Sequence, residues 1–259
     1  MDLGRTHHED YALIAHLTDT HLFATADGEL MDVNTTRSLQ CVLDDIRTFP
    51  ELFDAVVVTG DLVHDETAVG YARLRDMLAV FGIPVFCLAG NHDDAALMRH
   101  VLNGGSLSTS PAFTLGQWAF RLLHTPVAGQ VAGLLDDVEW ASLRTWLAQH
   151  THHHVALALH HHPLPIGSAW LDKLALRNGA QLVEEVARQQ HVKLTFWGHV
   201  HQSWDQSLNG CRWLSTPSTC AQFKPRAPTF ALDAPIPGWR WLRCYHSGQI
   251  ETGVRSVTP

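Results

Sequence analysis

The 259-residue chain is 46% hydrophobic and 17% charged with a formal net charge of −8, which excludes a disordered polypeptide and argues against a general nucleic-acid binder, which needs a basic face. No apolar run approaches the roughly 18 residues of a membrane span, and the start sets Asp2, Glu9 and Asp10 around one Arg rather than the basic opening of a secretory leader. Charge and hydropathy thus predict neither a nucleic-acid nor a membrane partner, and Cys41, Cys87, Cys211, Cys220 and Cys244, widely spaced without a C-x-x-C pair, predict reduced thiols in a cytoplasm.

After a tail over residues 1–10, short apolar runs alternate with segments of helical spacing. A strand is expected over 11–19, then a helix over 35–49 with Leu39, Val42, Leu43 and Ile46 on one face and Asn34 as its N-cap. A strand over 55–61 precedes a helix over 66–81 that carries Val69, Leu74, Met77 and Leu78 on its core side. Strands follow over 85–91, 118–123, 155–160 and 193–199, and helices over 138–150 and 180–190. Past Trp204 the pattern becomes short aromatic strands over 211–215, 230–232, 239–246 and 249–254, with Ser247-Gly248 as a hairpin turn. Pro217, Pro225, Pro228, Pro235 and Pro237 interrupt this region. The pattern predicts one α/β domain over 11–259 with a β-rich C-terminal part, built as two packed sheets with helices outside.

The polar residues fall where strands end. Asp19-Thr-His21, Gly60-Asp61, Gly90-Asn91-His92-Asp93, His160-His-His-Pro163 and Gly198-His199-Val-His201 each close an apolar run. Ligands of α/β sheets bind at such carboxyl ends, so the five clusters can converge on one site, with Gly60, Gly90 and Gly198 allowing sharp turns and close backbone. Imidazole and carboxylate together suit manganese, iron, zinc or cobalt. Two Asp against roughly four charges of a divalent pair leave the site positive, which suits a phosphate. A two-metal site ~3.5–4 Å across needs a bridging carboxylate, and Asp61 is expected to be that bridge. With 19 histidines in the chain, G-H-x-H alone says little; the blocks in order, each at a strand end, say much more.

On those five blocks the sequence resembles the calcineurin-like metallophosphoesterase superfamily. The resemblance implies a four-layer sandwich of two mixed β-sheets flanked by helices. It implies one metal on Asp19, His21, Asp61 and His201, and a second on Asp61, Asn91, His160 and His199. His92 matches the catalytic histidine, and Asp93 would orient it. His21, Asp61, Asn91, His92, His160 and His201 would surround the bound phosphate. A narrower likeness lies in HHHPLPIGSAWLDKLALRNG, GHVHQ, PSTCAQFKP and GWRWLRCYHSGQIE, which resemble the bacterial class III cyclic nucleotide phosphodiesterases acting on cyclic AMP. One departure is His124-Thr125, where the family commonly has Asp-Ser or Asp-Thr.

The implied reaction is hydrolysis of 3′,5′-cyclic AMP to 5′-AMP, with a hydroxide between two divalent or mixed-valence ions attacking phosphorus. Iron or manganese is expected first and zinc or cobalt as alternatives. The rival readings are a phosphoesterase or pyrophosphatase acting on a 2′,3′-cyclic nucleotide or a nucleotide-sugar lipid, and a non-catalytic binding scaffold. A homodimer is open. Strand alternation turns His161 away from the site. His64 reads as a helix-entry residue beside an Asp65 cap more readily than as a site residue, and His150, His152, His153 and His154 read as a solvated connection. Trp170 and Phe223 could stack on a purine or fill the core.

Overall fold

The computed structural model describes residues 1–4 and 6–258. Strand β1 (Tyr11–Leu17) leads through a small hairpin, β2 (Glu29–Leu30) and β3 (Val33–Asn34), into helix α1 (Thr35–Arg47). The Asn34 side chain accepts from Arg37 N, so the expected cap holds. Then come β4 (Ala55–Thr59), α2 (Ala68–Leu78), β5 (Val85–Leu88), α3 (Ala95–Leu102), β6 (Leu107–Ser108), β7 (Ala112–Leu115) and β8 (Trp118–Leu122). Helix α4 (Asp137–Gln149), β9 (His154–Leu159), α5 (Gly179–Arg188) and β10 (Val192–Trp197) follow. The chain closes with β11 (Trp204–Leu208), β12 (Cys211–Ser215), β13 (Gly238–Tyr245) and β14 (Ile250–Ser256).

Two six-stranded mixed sheets result, ordered β14-β13-β1-β4-β5-β6 and β11-β12-β10-β9-β8-β7. Their central strands are parallel, β1 with β4, β4 with β5, and β9 with β10. Such strands are covered on both faces and therefore read as continuous apolar runs, as AVVVT of β4 does. Between the sheets, Ile14, Val57, Phe86 and Leu88 meet Phe113, Phe120, Ala158 and Phe196. Phe86, Phe113 and Phe120 stack in series at 3.9 and 4.5 Å. Burying each such ring contributes roughly 1.5–3 kcal/mol. The outer face of the first sheet packs under α1, α2 and α3, and that of the second under α4 and α5. The layers are helix, sheet, sheet, helix.

Several local expectations change. Helix α2 starts at Ala68, capped by Thr67, and turns Gly70, Tyr71, Leu74 and Leu78 inward, leaving Val69 56% exposed. Helix α3 and strand β11 were not anticipated. Residues 230–232 form no strand; Leu232 makes one isolated bridge to Phe223. The turn at Ser247-Gly248 joins β13 to β14 as expected, with Gly248 at φ 89°. The segment ahead of Tyr11 is tied to both sheets, Leu3 N donating to Thr114 O and His7 N to Asp54.

Candidate metal centre

Because the sheets face each other, the carboxyl ends of β1, β4 and β5 meet those of β9 and β10. The pairing of β1 with β4 continues beyond both strands. Asp19 N donates to Gly60 O, His21 N to Asp61 O, Leu22 N to Leu62 O, and His64 N to Leu22 O, at 2.8–3.0 Å. This ladder holds Asp19, His21 and Asp61 in fixed register. The backbone is strained to do so: Asp19, His21, Asp61, His199 and His201 all have φ between 43° and 67°. A non-glycine residue there costs of the order of 1–3 kcal/mol and persists where the surroundings over-determine it. Two glycines permit the close approach. A Cβ on Gly90 would lie 2.1 Å from Asp61 Oδ1, and one on Gly198 only 1.8 Å from Thr18 Oγ1.

The side chains then bring acceptor atoms together. His160 Nδ1 lies 2.8 Å from Thr59 O, and His201 Nδ1 2.8 Å from Ala221 O. A carbonyl only accepts, so each Nδ1 carries a proton and each Nε2 turns a lone pair inward. His199 is fixed the other way, its Nε2 donating to Leu174 O at 3.2 Å and freeing Nδ1. His201 Nε2 faces Asp19 Oδ1 at 3.2 Å and His21 Nε2 at 3.3 Å. His160 Nε2 faces Asn91 Oδ1 at 3.2 Å and Asp61 Oδ1 at 3.3 Å. Acceptors this close repel one another unless positive charge sits among them. Asp19, His21 and His201 form one group able to hold a cation, and Asp19, Asp61 and His160 another. The residues therefore fit a metal pair of imidazole-and-carboxylate preference.

The titration behaviour agrees. Burial pulls His21 down to about 3, and burial with the neighbouring histidines holds His199 well below its usual value. Both rings are neutral at pH 7. Burial would raise the Asp61 carboxyl, but His160, His21 and His92 outweigh it and hold the acid well below the usual carboxylate range. Burial likewise opposes charge on His160, yet Asp61 and Asp19 push it up to about 9. Without a cation, a proton on His160 supplies the missing positive charge.

All seven expected ligands come together, and His92 joins them. His92 N donates to Asp61 Oδ1 at 2.9 Å, while its ring lies 5.3 Å from the His21 ring. Asp93 is a correction. Its carboxylate accepts from Leu62 N, Val63 N, Gly90 N and the Tyr71 hydroxyl, and among the described residues no hydrogen bond joins it to the His92 ring. It clamps the β4 and β5 loops together instead. His64 is a second correction. It lies three residues before the Thr67 cap, places Nδ1 3.3 Å from His21 Nδ1, and stacks on His92 at 5.0 Å. The signal was its position three residues after Asp61, discounted in favour of a helix entry that starts later.

His161 is near His160 and His199. It is not turned away from the site as strand alternation suggested, because β9 ends at Leu159, but both its nitrogens are engaged, Nε2 with Val131 O at 2.9 Å and Nδ1 with Thr125 Oγ1 at 2.7 Å, which leaves it a packing role. That contact also gives the unusual His124-Thr125 pair a role, since Thr125 holds His161. The run from His150 to His154 stays outside the site: His150 stacks on Trp146, and His154 opens β9. Above the polar floor, a cleft of about 210 Å³ is walled by Met31, Trp170, Leu171, Leu174 and Phe223. Phe223 lays its ring on His201 at 4.3 Å and 14°, and Trp170 meets Phe223 edge-on at 5.1 Å.

Comparisons with known proteins agree with this geometry. A family model described as calcineurin-like phosphoesterase matches residues 12–203. The chain is 41% identical over 245 residues to the 3′,5′-cyclic adenosine monophosphate phosphodiesterase CpdA of Escherichia coli, covering 94% of this chain and 89% of that protein. It is 35% identical to the CpdA of Pseudomonas aeruginosa, over 95% and 90% of the two chains. A dimetal phosphatase from Danio rerio has the same fold, with a TM-score of 0.63 at 14% identity over 96% of this chain and 100% of that one. No helix among the described residues is long and apolar enough to cross a membrane. With its fold, its converging acceptors and these relatives in agreement, the chain belongs to the calcineurin-like phosphoesterase family, a family of metal-dependent hydrolases.

Proposed function

We propose that the chain hydrolyses 3′,5′-cyclic AMP to 5′-AMP with two divalent cations on the floor of the cleft. The convergence of Asp19, His21, Asp61, His160, His199 and His201, with Asn91 Oδ1 beside His160, supports the reading, in a chain similar over nine-tenths of its length to cyclic AMP phosphodiesterases. Asp19, His21, Asp61 and His201 would hold one ion, and Asp61, Asn91, His160 and His199 the other. Asp61 Oδ2 faces His21 at 3.7 Å and Oδ1 faces His160 at 3.3 Å, which supports its place between the two. When bound, such a pair supplies Lewis-acid polarisation of the phosphoryl group and acidifies the attacking water.

The chain's own residues do the rest. Asn91 and His92 border the cleft and donate hydrogen bonds to the phosphoryl oxygens, while His21, Asp61 and His201 shape the floor beneath them and the fully buried His160 lies behind it. His92 delivers a proton to the departing 3′-oxygen. Phe223 lays one ring face on His201, and Trp170 and Phe223 together wall the side of the cleft that would receive the purine. We further infer iron or manganese as the ions, with zinc or cobalt accepted. A cytoplasmic setting would keep the five free thiols reduced.

The test is a panel of 3′,5′-cyclic AMP, 3′,5′-cyclic GMP, 2′,3′-cyclic AMP and an aryl phosphodiester, assayed with Mn²⁺ or Fe²⁺ while metal content is measured on the same sample. A kcat/KM for cyclic AMP well above the others is expected. A value no better than that for the aryl diester would overturn the substrate assignment.

A further inference from the structure

Four imidazoles form the floor of the site, and three of them have their outer nitrogen fixed by a backbone carbonyl: His160 by Thr59 O, His201 by Ala221 O and His199 by Leu174 O. His21 is the exception. It is 3% exposed, and among the described residues the recorded partner of its Nδ1 is His64 Nδ1, at 3.3 Å. A carbonyl can only accept, whereas an imidazole nitrogen can accept or donate. Between these two Nδ1 atoms there is room for one hydrogen.

The hydrogen has two places to be. On His64, it would leave His21 with its proton on Nε2, pointing at His201 Nε2 and Asp61 and closing the floor to a cation. On His21, it leaves Nε2 bare and turned inward, in step with His160 and His201. We propose that His64 is a positioning residue whose Nδ1 accepts the Nδ1–H of His21 and so fixes the His21 lone pair toward the metal floor. The inference rests on the metal-centre reading above.

The rest of the local structure serves this contact. His64 N donates to Leu22 O at 2.8 Å, so the ladder that sets His21 also sets His64. Asp65 ties the following turn, accepting from Ala24 N at 2.8 Å and from the Thr67 hydroxyl at 2.9 Å. The far side of the His64 ring borders the cleft, where Nε2–H can meet water. Phe23 and His92 flank the ring at 5.1 and 5.0 Å and hold its plane.

The test compares His64→Phe, His64→Leu and His64→Asn in the full-length chain. Phe and Leu fill space without an acceptor, whereas the Asn carbonyl oxygen takes the place of Nδ1. Metal-stripped protein is titrated with Mn²⁺ and free Mn²⁺ is followed by electron paramagnetic resonance; thermal unfolding confirms that each variant folds. Losing a partner of this kind weakens metal binding by about 10–100-fold, so one of two Mn²⁺ ions should bind that much more weakly to the Phe and Leu variants. The Asn variant should stay near the parent. Long-range ¹H–¹⁵N spectra of the Zn²⁺-loaded parent should show His21 protonated at Nδ1. Folded Phe and Leu variants that bind both ions like the parent overturn the role of His64 alone. A parent that binds no pair of ions overturns the metal centre and this inference with it.

Discussion

Gly198 offers a sharp test of how the fold builds the floor. Replacing it with Ala puts a Cβ 1.8 Å from Thr18 Oγ1, 2.8 Å from Asp19 Oδ2 and 3.0 Å from Thr18 Cβ. An ordinary carbon–oxygen contact is ~3.3 Å, so something must move by roughly 1.5 Å. Thr18 is fully buried; its hydroxyl donates to Asp19 Oδ2 at 2.7 Å and lies 3.2 Å from Thr59 O. It cannot rotate away without losing that bond. Overpacking costs about 1–3 kcal/mol, and a lost hydrogen bond to a charged group about 1.5–3 kcal/mol. The expected destabilisation of Gly198→Ala is therefore about 3–5 kcal/mol, or of the order of 6–20 °C in Tm for a chain of this size.

The same displacement moves Asp19, which accepts from His199 N through both oxygens at 3.2 and 3.0 Å. Metal content should fall together with Tm. Differential scanning calorimetry and elemental analysis on the same preparation read both effects. Adding Thr18→Ala removes the nearest clash and should restore part of the loss, the Asp19 contact remaining. A Gly198→Ala protein with two bound ions and a Tm within about 2 °C of the parent would refute the reasoning.

Three further outcomes follow from the site. His92→Ala should retain both metals and lose about 10²–10⁴-fold in rate; undiminished turnover would remove His92 from proton transfer. His160 binds a proton below about 9 that a cation must displace, so affinity for Mn²⁺ should rise with pH, by up to roughly tenfold per unit between neutrality and 9, then level off. Titration calorimetry in buffers of different ionisation heat should find about one proton released at pH 7, and none released would count against this assignment. Saturation with Mn²⁺ at a hundred times its Kd should stabilise the metal-stripped chain by about 2.7 kcal/mol, read as a rise in Tm; an unchanged melting curve would mean that the floor holds no cation.

Local chemistry was legible in the sequence. Cap Asn34, the hairpin turn at Gly248 and the buried parallel strands each depend on a few contiguous residues, and each formed where expected. Helix α3 escaped because eight residues directly after a turn show too little period. Val69 was misassigned because the first residues past a cap have not yet settled on a core face. The identities of the seven polar residues were legible too, since each closes an apolar run. Their partners were not. Whether Asp93 meets His92 or the β4 loop, and whether His64 begins a helix or touches His21, depends on contacts between loops that no periodicity encodes. The inward lone pairs depend on carbonyls such as Ala221 O and Thr59 O, which carry no sequence signature. Sequence determined which atoms could bind a cation; only the packing of two sheets, joining residues as far apart as Asp19 and His199, decided which way those atoms point.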